Sequence, residues 1–107
     1  MFKVTKSAAR QIRDSAHSGD SEELALRIAA TRKPDGAIEY QMGFDEVGVE
    51  DVLLNSRGVD VVFANNQKEL LNGTVLDYVE LEPGEYRFIF MNPNDPHYVP
   101  PKGDDPA

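Results

Sequence analysis

The chain has 107 residues, the length of one domain, and 40% of them are hydrophobic, which is enough to build a folded core. Its 11 basic and 19 acidic residues give a formal charge of −8, which argues against nucleic acid and against an anionic membrane surface as partners. There is no cysteine, so disulfides, thiolate metal ligands and thiol nucleophiles are excluded.

The first predicted element is a helix that begins after Thr5, whose hydroxyl can accept a hydrogen bond from a free amide of the first turn. Ala8, Ile12 and Ala16 recur every four residues and give the helix one narrow apolar stripe. Because the stripe is narrow, we expect the helix to pack on the edge of a sheet rather than to form the core. The basic residues of the segment lie mostly off this stripe, at Lys6, Arg10 and Arg13.

Alternating apolar residues predict strands in most of the remaining chain. Strands at residues 24–30 and 38–44 are joined by turn-forming residues at 32–36 and form a predicted hairpin. The order that follows indicates an α+β fold, mainly β with two helices and mostly antiparallel by the length of its connections. The later elements are a short apolar run at 52–54, a strand at 59–63 with both faces apolar, a short helix that ends at 72–73, and strands at 75–79 and 86–90.

The composition changes after Met91, since residues 92–107 hold five of the seven prolines. Apart from Tyr98 and Val99 there is little to bury, so we expect an extended or disordered tail. The predicted domain spans residues 1–94 and a proline-rich, acidic tail spans 95–107. No apolar run approaches the ~20 residues of a membrane span, and no secretory signal opens the chain, so we expect a cytoplasmic protein.

The usual sequence signatures of enzymes are missing. There is no phosphate-binding loop, no dinucleotide-binding glycine pattern and no nucleophile elbow. His17 and His97 are 80 residues apart, so no local zinc motif can be built from histidine. We therefore expect no catalytic residues and no enzymatic activity.

Two other stretches are candidates for binding. The acidic connection at residues 45–51 could hold a hard cation through carboxylate oxygens, but it lacks the spacing of an EF-hand and fits a solvated connection better. The alternating aromatic residues at 86–90 could stack on bases, but the charge of −8 favours the core face of a strand.

Five stretches of the sequence form a familiar pattern, at residues 4–9, 44–46, 58–62, 70–79 and 88–94. In this order they resemble the A-type iron–sulfur cluster carrier family, whose domain is called HesB-like. The resemblance covers roughly residues 3–98, nearly the whole predicted domain. It implies the family's fold, a compact β-sandwich or pseudo-barrel of short, mostly antiparallel strands.

The family holds its cluster or iron through three cysteines, one in a glycine-rich turn and two in a Cys-Gly-Cys near the C-terminus. Aligned by position, these cysteines fall at Pro34, Val99 and Pro101, and none of these residues offers iron a ligand atom. The resemblance therefore implies the fold with its cargo lost, and we expect no cofactor. It also implies a non-enzymatic role through protein contacts, linked to iron–sulfur cluster or iron metabolism. The expected partners are iron–sulfur assembly or recipient proteins, and self-association is expected as well.

Two alternatives remain open. Asp35, Asp95 and His97 lie near the lost positions and could form a weak iron site of oxygen and nitrogen ligands if the tail folds back. The pocket once occupied by the cluster could instead serve an enzyme or bind a small ligand, which would require convergent polar groups.

Overall fold

The structure is a computed structural model that describes residues 1–96. Within that range the predicted helices and strands are present, together with a two-residue first strand that is too short to be read from a pattern. A single 3₁₀ turn at Asn65–Gln67 leads into the second helix. The elements are β1 (Lys3–Val4), α1 (Lys6–Ser18), β2 (Ala25–Arg32), β3 (Ile38–Asp45), β4 (Asp51–Ser56), β5 (Val59–Ala64), α2 (Lys68–Leu71), β6 (Val75–Glu82) and β7 (Glu85–Met91).

The strands form two mixed sheets, and neither closes into a barrel. One sheet has the order β3-β2-β5-β4 and the other the order β1-β6-β7. The hairpin pairs β2–β3, β4–β5 and β6–β7 are antiparallel, whereas the pairs β2–β5 and β1–β6 are parallel. The prediction of a mainly β fold with two helices and mostly antiparallel pairing is confirmed.

The core is densest around β5, which lies inside the four-stranded sheet. Val61, Val62 and Phe63 are all 4% exposed or less, so both faces of this strand are buried, as their unbroken apolar run predicts.

The prediction for α1 is wrong in its packing. Ala8, Ala9 and Ile12 are 4% exposed or less, and the helix packs against β6 and β5, which are inner strands of the two sheets. Alanine explains the difference, because its small side chain lets a helix with a narrow apolar stripe come close to the sheets. The helix is thus part of the core rather than an edge cover.

The end of β7 is held against α2 by two asparagines. Asn92 is 1% exposed, and its side-chain amide donates to the Leu70 carbonyl at 2.8 Å. The Asn94 side chain donates to the carbonyls of Leu70 and Asn72, both at 3.1 Å. The chain therefore leaves the domain from a fixed point. The boundary between a domain at 1–94 and a tail at 95–107 stays a prediction.

The aromatic residues of β7 divide along the strand. Phe88 and Phe90 are partly buried against the core, as predicted, whereas Tyr86 is 54% exposed and stacks on Tyr78 with ring centroids 5.6 Å apart.

None of the helices within residues 1–96 has the length and apolar character that crossing a membrane requires.

Candidate functional site

Pro34 lies in a tight turn between β2 and β3. The Gly36 amide donates to the Lys33 carbonyl at 2.8 Å, which closes a β-turn with Pro34 and Asp35 at its centre. The Asp35 carboxylate accepts the Ala37 amide at 2.9 Å, and Gly36 adopts a φ of +92°, in the region that favours glycine. The turn chemistry predicted for this segment is confirmed.

Arg32 connects this turn to the start of the C-terminal segment. Its Nη1 donates to the Gly36 carbonyl at 2.8 Å and its Nη2 to the Asn94 carbonyl at 3.2 Å. A Cβ atom added at Gly36 would lie 3.6 Å from Cγ of Pro96, so the two segments are close to each other. We call the contacts from Arg32 to Gly36 and Asn94 the Arg32 bridge. His97, Val99 and Pro101 lie outside the described residues.

Tyr40 packs beside the bridge. Its ring stacks on Phe90 with centroids 4.1 Å apart and ring planes 6° from parallel. Burial raises the pKa of the Tyr40 hydroxyl, the negative charge of Asp95 adds to the rise, and the positive charge of Arg32 limits it. At neutral pH this side chain is a neutral wall of the site.

The surroundings of Pro34 offer little to a soft metal. The charged groups at the turn include the side chains of Lys33 and Arg32 and the Asp35 carboxylate, so it offers hard oxygen atoms and cations rather than the soft ligands that such a metal prefers. Among residues 1–96, no group of three or more histidine, cysteine, aspartate or glutamate side chains could hold a metal ion. The site built from Asp35, Asp95 and His97 stays a prediction, because His97 is not among the described residues.

An open cavity of about 690 Å³ adjoins the bridge, between Arg32, Lys68, Glu69 and Asn94. It is polar, but in the part of the chain that the structure describes its walls hold no histidine and no hydroxyl or thiol nucleophile. The arrangement therefore lacks a nucleophile–base pair of the kind that an acyl- or phosphoryl-transfer enzyme uses.

The acidic connection between β3 and β4 is already paired with a positively charged side chain. Arg27, in the middle of β2, donates from Nε to Asp45 at 2.6 Å and from Nη2 and Nη1 to the two oxygens of Asp51, at 2.6 and 3.2 Å. It also donates to the Glu46 carbonyl at 3.0 Å. We call Arg27 with Asp45 and Asp51 the Arg27 clamp.

The clamp changes the acidity of its members. Hydrogen bonds from Arg27 hold the pKa of Asp51 and of Asp45 below the usual value, and the amides of Gly48 and Glu46 add to the effect. Since Arg27 already takes both carboxylates, the connection is a structural ion-pair network rather than the cation site that was one interpretation of the acidic run.

Sequence reasoning did not identify Arg27 or Arg32 as important residues. Both lie on β2, and each contacts a residue far along the chain, 24 residues away for Asp51 and 62 for Asn94. The sequence held one signal for Arg27. In the register of the β2–β3 hairpin, Arg27 lies two residues along β2 from the residue that pairs with Asp45, which places it close to the acidic connection.

The comparisons with known proteins agree with this fold. No protein-family model matches the chain. The iron–sulfur cluster insertion protein ErpA of Pseudomonas putida is 31% identical over 94 residues, covering 87% of this chain and 80% of the relative. The uncharacterized protein SufA of Bacillus subtilis is 29% identical over 92 residues, covering 85% and 76%.

Solved structures resemble the chain over a similar length. A crystal structure of IscA with the [2Fe-2S] cluster superposes with a TM-score of 0.72 at 28% identity, over 87% of this chain and 86% of that one. Escherichia coli SufA, involved in biosynthesis of iron–sulfur clusters, gives a TM-score of 0.76 at 20% identity, over 92% and 86%. At that identity the second likeness shows the fold alone.

Proposed function

This chain belongs to the A-type iron–sulfur cluster carrier family, and from that premise we propose that it serves iron–sulfur cluster biogenesis by binding other proteins while carrying no cluster itself. Its relatives point to the pathway, since one is named as a cluster insertion protein and another holds a [2Fe-2S] cluster in its crystal structure.

The observation that carries the proposal is the absence of cysteine from the sequence. An iron–sulfur cluster is held by thiolates, with histidine as an occasional substitute. Pro34, which we align with the family's first cysteine, provides no ligand atom, and the fold remains intact around it. A chain that keeps the fold while lacking the ligands is suited to binding other proteins through that fold, and not to carrying a cluster.

The Arg32 bridge supports the same proposal. Hydrogen bonds from Arg32 join Gly36 in the turn to Asn94 at the start of the C-terminal segment. A guanidinium stays positively charged at any physiological pH and disfavours a bare metal cation nearby. The bridge thus holds the two segments together without metal.

The first test is anaerobic reconstitution of the full chain with iron and sulfide, read by visible absorbance and by elemental analysis. We expect no stable coloured species and no stoichiometric iron or sulfide. The cysteine-containing relative IscA, treated in parallel, is the positive control. Uptake of both iron and sulfide in a stable species by this chain would contradict the proposal.

A different result would support the alternative site. Stoichiometric iron without sulfide would point to Asp35, Asp95 and His97. The closeness of Gly36 to Pro96 favours this site, because it places the turn of Asp35 near the segment of Asp95. The variant with Asp95→Ala and His97→Ala would then lose the iron. Unchanged iron in this variant would remove the alternative.

The contact role needs a test in the organism of origin. Removing the gene should lower the activities of iron–sulfur enzymes while leaving cluster-free enzymes unchanged, and the wild-type gene should restore them. A strain whose iron–sulfur enzymes keep full activity under iron limitation would count against a role in this pathway.

A further inference from the structure

The charges of this acidic chain are distributed unevenly. Residues 1–13 contain four of the eleven basic residues and none of the nineteen acidic ones. The rest of the chain, residues 14–107, is therefore strongly acidic overall. In the fold, these four residues belong to β1 and to the first two turns of α1, so one end of the molecule differs in sign from the rest.

Three of these residues share one face of α1. At 100° per residue, Lys6, Arg10 and Arg13 fall within an arc of about 60°, and they span roughly 10 Å along the helix axis. All three are exposed, whereas Ala8 and Ile12 are buried on another face of the helix. We call Lys6, Arg10 and Arg13 the basic stripe.

The stripe is not neutralised from within the described part of the molecule. The ion pairs found within residues 1–96 join His17 to Glu22 and Arg27 to Asp45 and Asp51, and none involves the stripe. Arg13 donates to the Arg57 carbonyl at 2.9 Å, which orients its guanidinium without removing its charge. The nearby Asp77 carboxylate accepts the hydroxyls of Thr5 and Ser7 at the start of the helix.

Helix stability does not account for this arrangement. Lys6 and Arg10 are four residues apart and Arg10 and Arg13 three apart, and like charges at these spacings repel and destabilise a helix. The first turn also has no acidic residue of its own. A departure from favourable local chemistry that the fold does not explain is typical of a binding surface.

We propose that the basic stripe binds a short acidic segment of a partner protein. The inference rests on the proposed function only in taking the partner to be a protein, and charge complementarity gives its chemistry. The stripe is about as long as the Debye length at physiological salt. A few carboxylates are enough to fill this length. Acidic residues at positions 14, 20, 22 and 23 follow directly and would repel a polyanion that extends further, such as a DNA duplex or an anionic membrane.

The test is an NMR titration of the ¹⁵N-labelled full chain with a terminally blocked hexaglutamate peptide at low salt. We expect saturable shifts concentrated in the amides of residues 6–17, and we expect them to vanish at 1 M salt, where the Debye length falls to about 3 Å. Shifts that persist at 1 M salt, or that centre on another surface, would overturn the proposal.

Variants separate the stripe from the overall charge. The variant with Lys6→Glu, Arg10→Glu and Arg13→Glu should bind the peptide at least fivefold more weakly than a control with Lys33→Glu, Lys68→Glu and Arg87→Glu, which changes the charge equally at three other exposed positions. Circular dichroism checks that both fold. If the first does not, alanine at residues 6, 10 and 13 replaces glutamate, since alanine is the best helix former.

The remaining outcomes are also decisive. Equal loss in both triple variants would show a general charge effect and overturn the proposal, as would tighter binding of a DNA duplex or of phosphatidylserine vesicles than of the peptide. Failure here is distinct from failure of the proposed function, since uptake of iron and sulfide does not depend on the stripe.

Discussion

Gly73 is the residue whose identity the backbone restricts most directly. It lies between α2 and β6 with a φ of +82°, and a Cβ atom there would lie 3.0 Å from Cγ of Pro93. Gly43, in the middle of β3, is the opposite case, because an added Cβ would meet no atom within 4 Å. The backbone therefore requires glycine at residue 73, whereas residue 43 has space for a side chain.

The variant Gly73→Ala should be destabilised by about 1–3 kcal/mol, since the left-handed backbone and the contact with Pro93 both oppose a side chain. Gly43→Ala should change the free energy of unfolding by less than about 0.5 kcal/mol. Urea denaturation followed by circular dichroism measures both values. Equal stability of the two variants would contradict the strain assigned to Gly73.

Among the elements, β2 is connected to several parts of the chain. It pairs with β3 and β5, and its two arginines reach other parts of the chain, Arg27 in the clamp and Arg32 in the bridge. The hairpin of β2 and β3 was predictable because its strands and turn are neighbours in sequence. The parallel pair β2–β5 and both arginine contacts were not, because alternation and turn chemistry carry no information about distant partners.

The Arg27 clamp should make stability depend on pH. Because the folded pKa values of Asp45 and Asp51 are lowered, their contribution is complete above the unfolded value of about 3.9 and is lost as the pH falls through the folded values. Arg27→Gln should therefore destabilise the protein at pH 7, and its deficit should shrink below pH 4. Urea denaturation at pH 7 and pH 3 measures this, with Arg87→Gln as the control. A deficit that stays constant between the two pH values would exclude the assignment.

The Arg32 bridge should be visible as local protection. In Arg32→Ala, the amides of Gly36 and Asp95 should exchange with solvent about tenfold faster, as expected for the loss of hydrogen bonds worth about 1.4 kcal/mol. Exchange of the buried Val61 amide should not change. Hydrogen exchange by NMR measures this against Lys33→Ala, which alters the same turn without touching the bridge. Unchanged exchange at Gly36 and Asp95 would show that the bridge does not hold them.

At the scale of the whole molecule, the core lies apart from Pro34, the described position that we align with a family cysteine. The buried residues come from α1, α2 and the strands of both sheets, whereas Pro34 is exposed in a turn at the rim. The family fold was predictable because it follows from the order of elements. The surroundings of Pro34 were only partly predictable, since they depend on Arg32, Asn94 and Pro96 coming together in space.

If the site lacks only ligands, restoring them should restore binding. The variant with Pro34→Cys, Val99→Cys and Pro101→Cys should take up iron and sulfide under anaerobic reconstitution, while serine at the same three positions should not. Absorbance and elemental analysis give the result. A cysteine variant that folds but stays colourless would show that the site has changed beyond its ligands, and adding Arg32→Ala would then test the bridge as the cause.

The parallel pair β1–β6 has a consequence for how the chain folds. Lys3 and Val4 pair with Val75 and Leu76, so the first strand finds its place only after more than seventy further residues are available. Phe2 and Val4 are 2% and 0% exposed in the fold. Until β6 is available, the pairing of β1 with β6 cannot bury them. Contacts over such a long sequence separation slow folding. During synthesis, at roughly 5–20 residues per second, the N-terminal end would therefore wait several seconds for its partner strand.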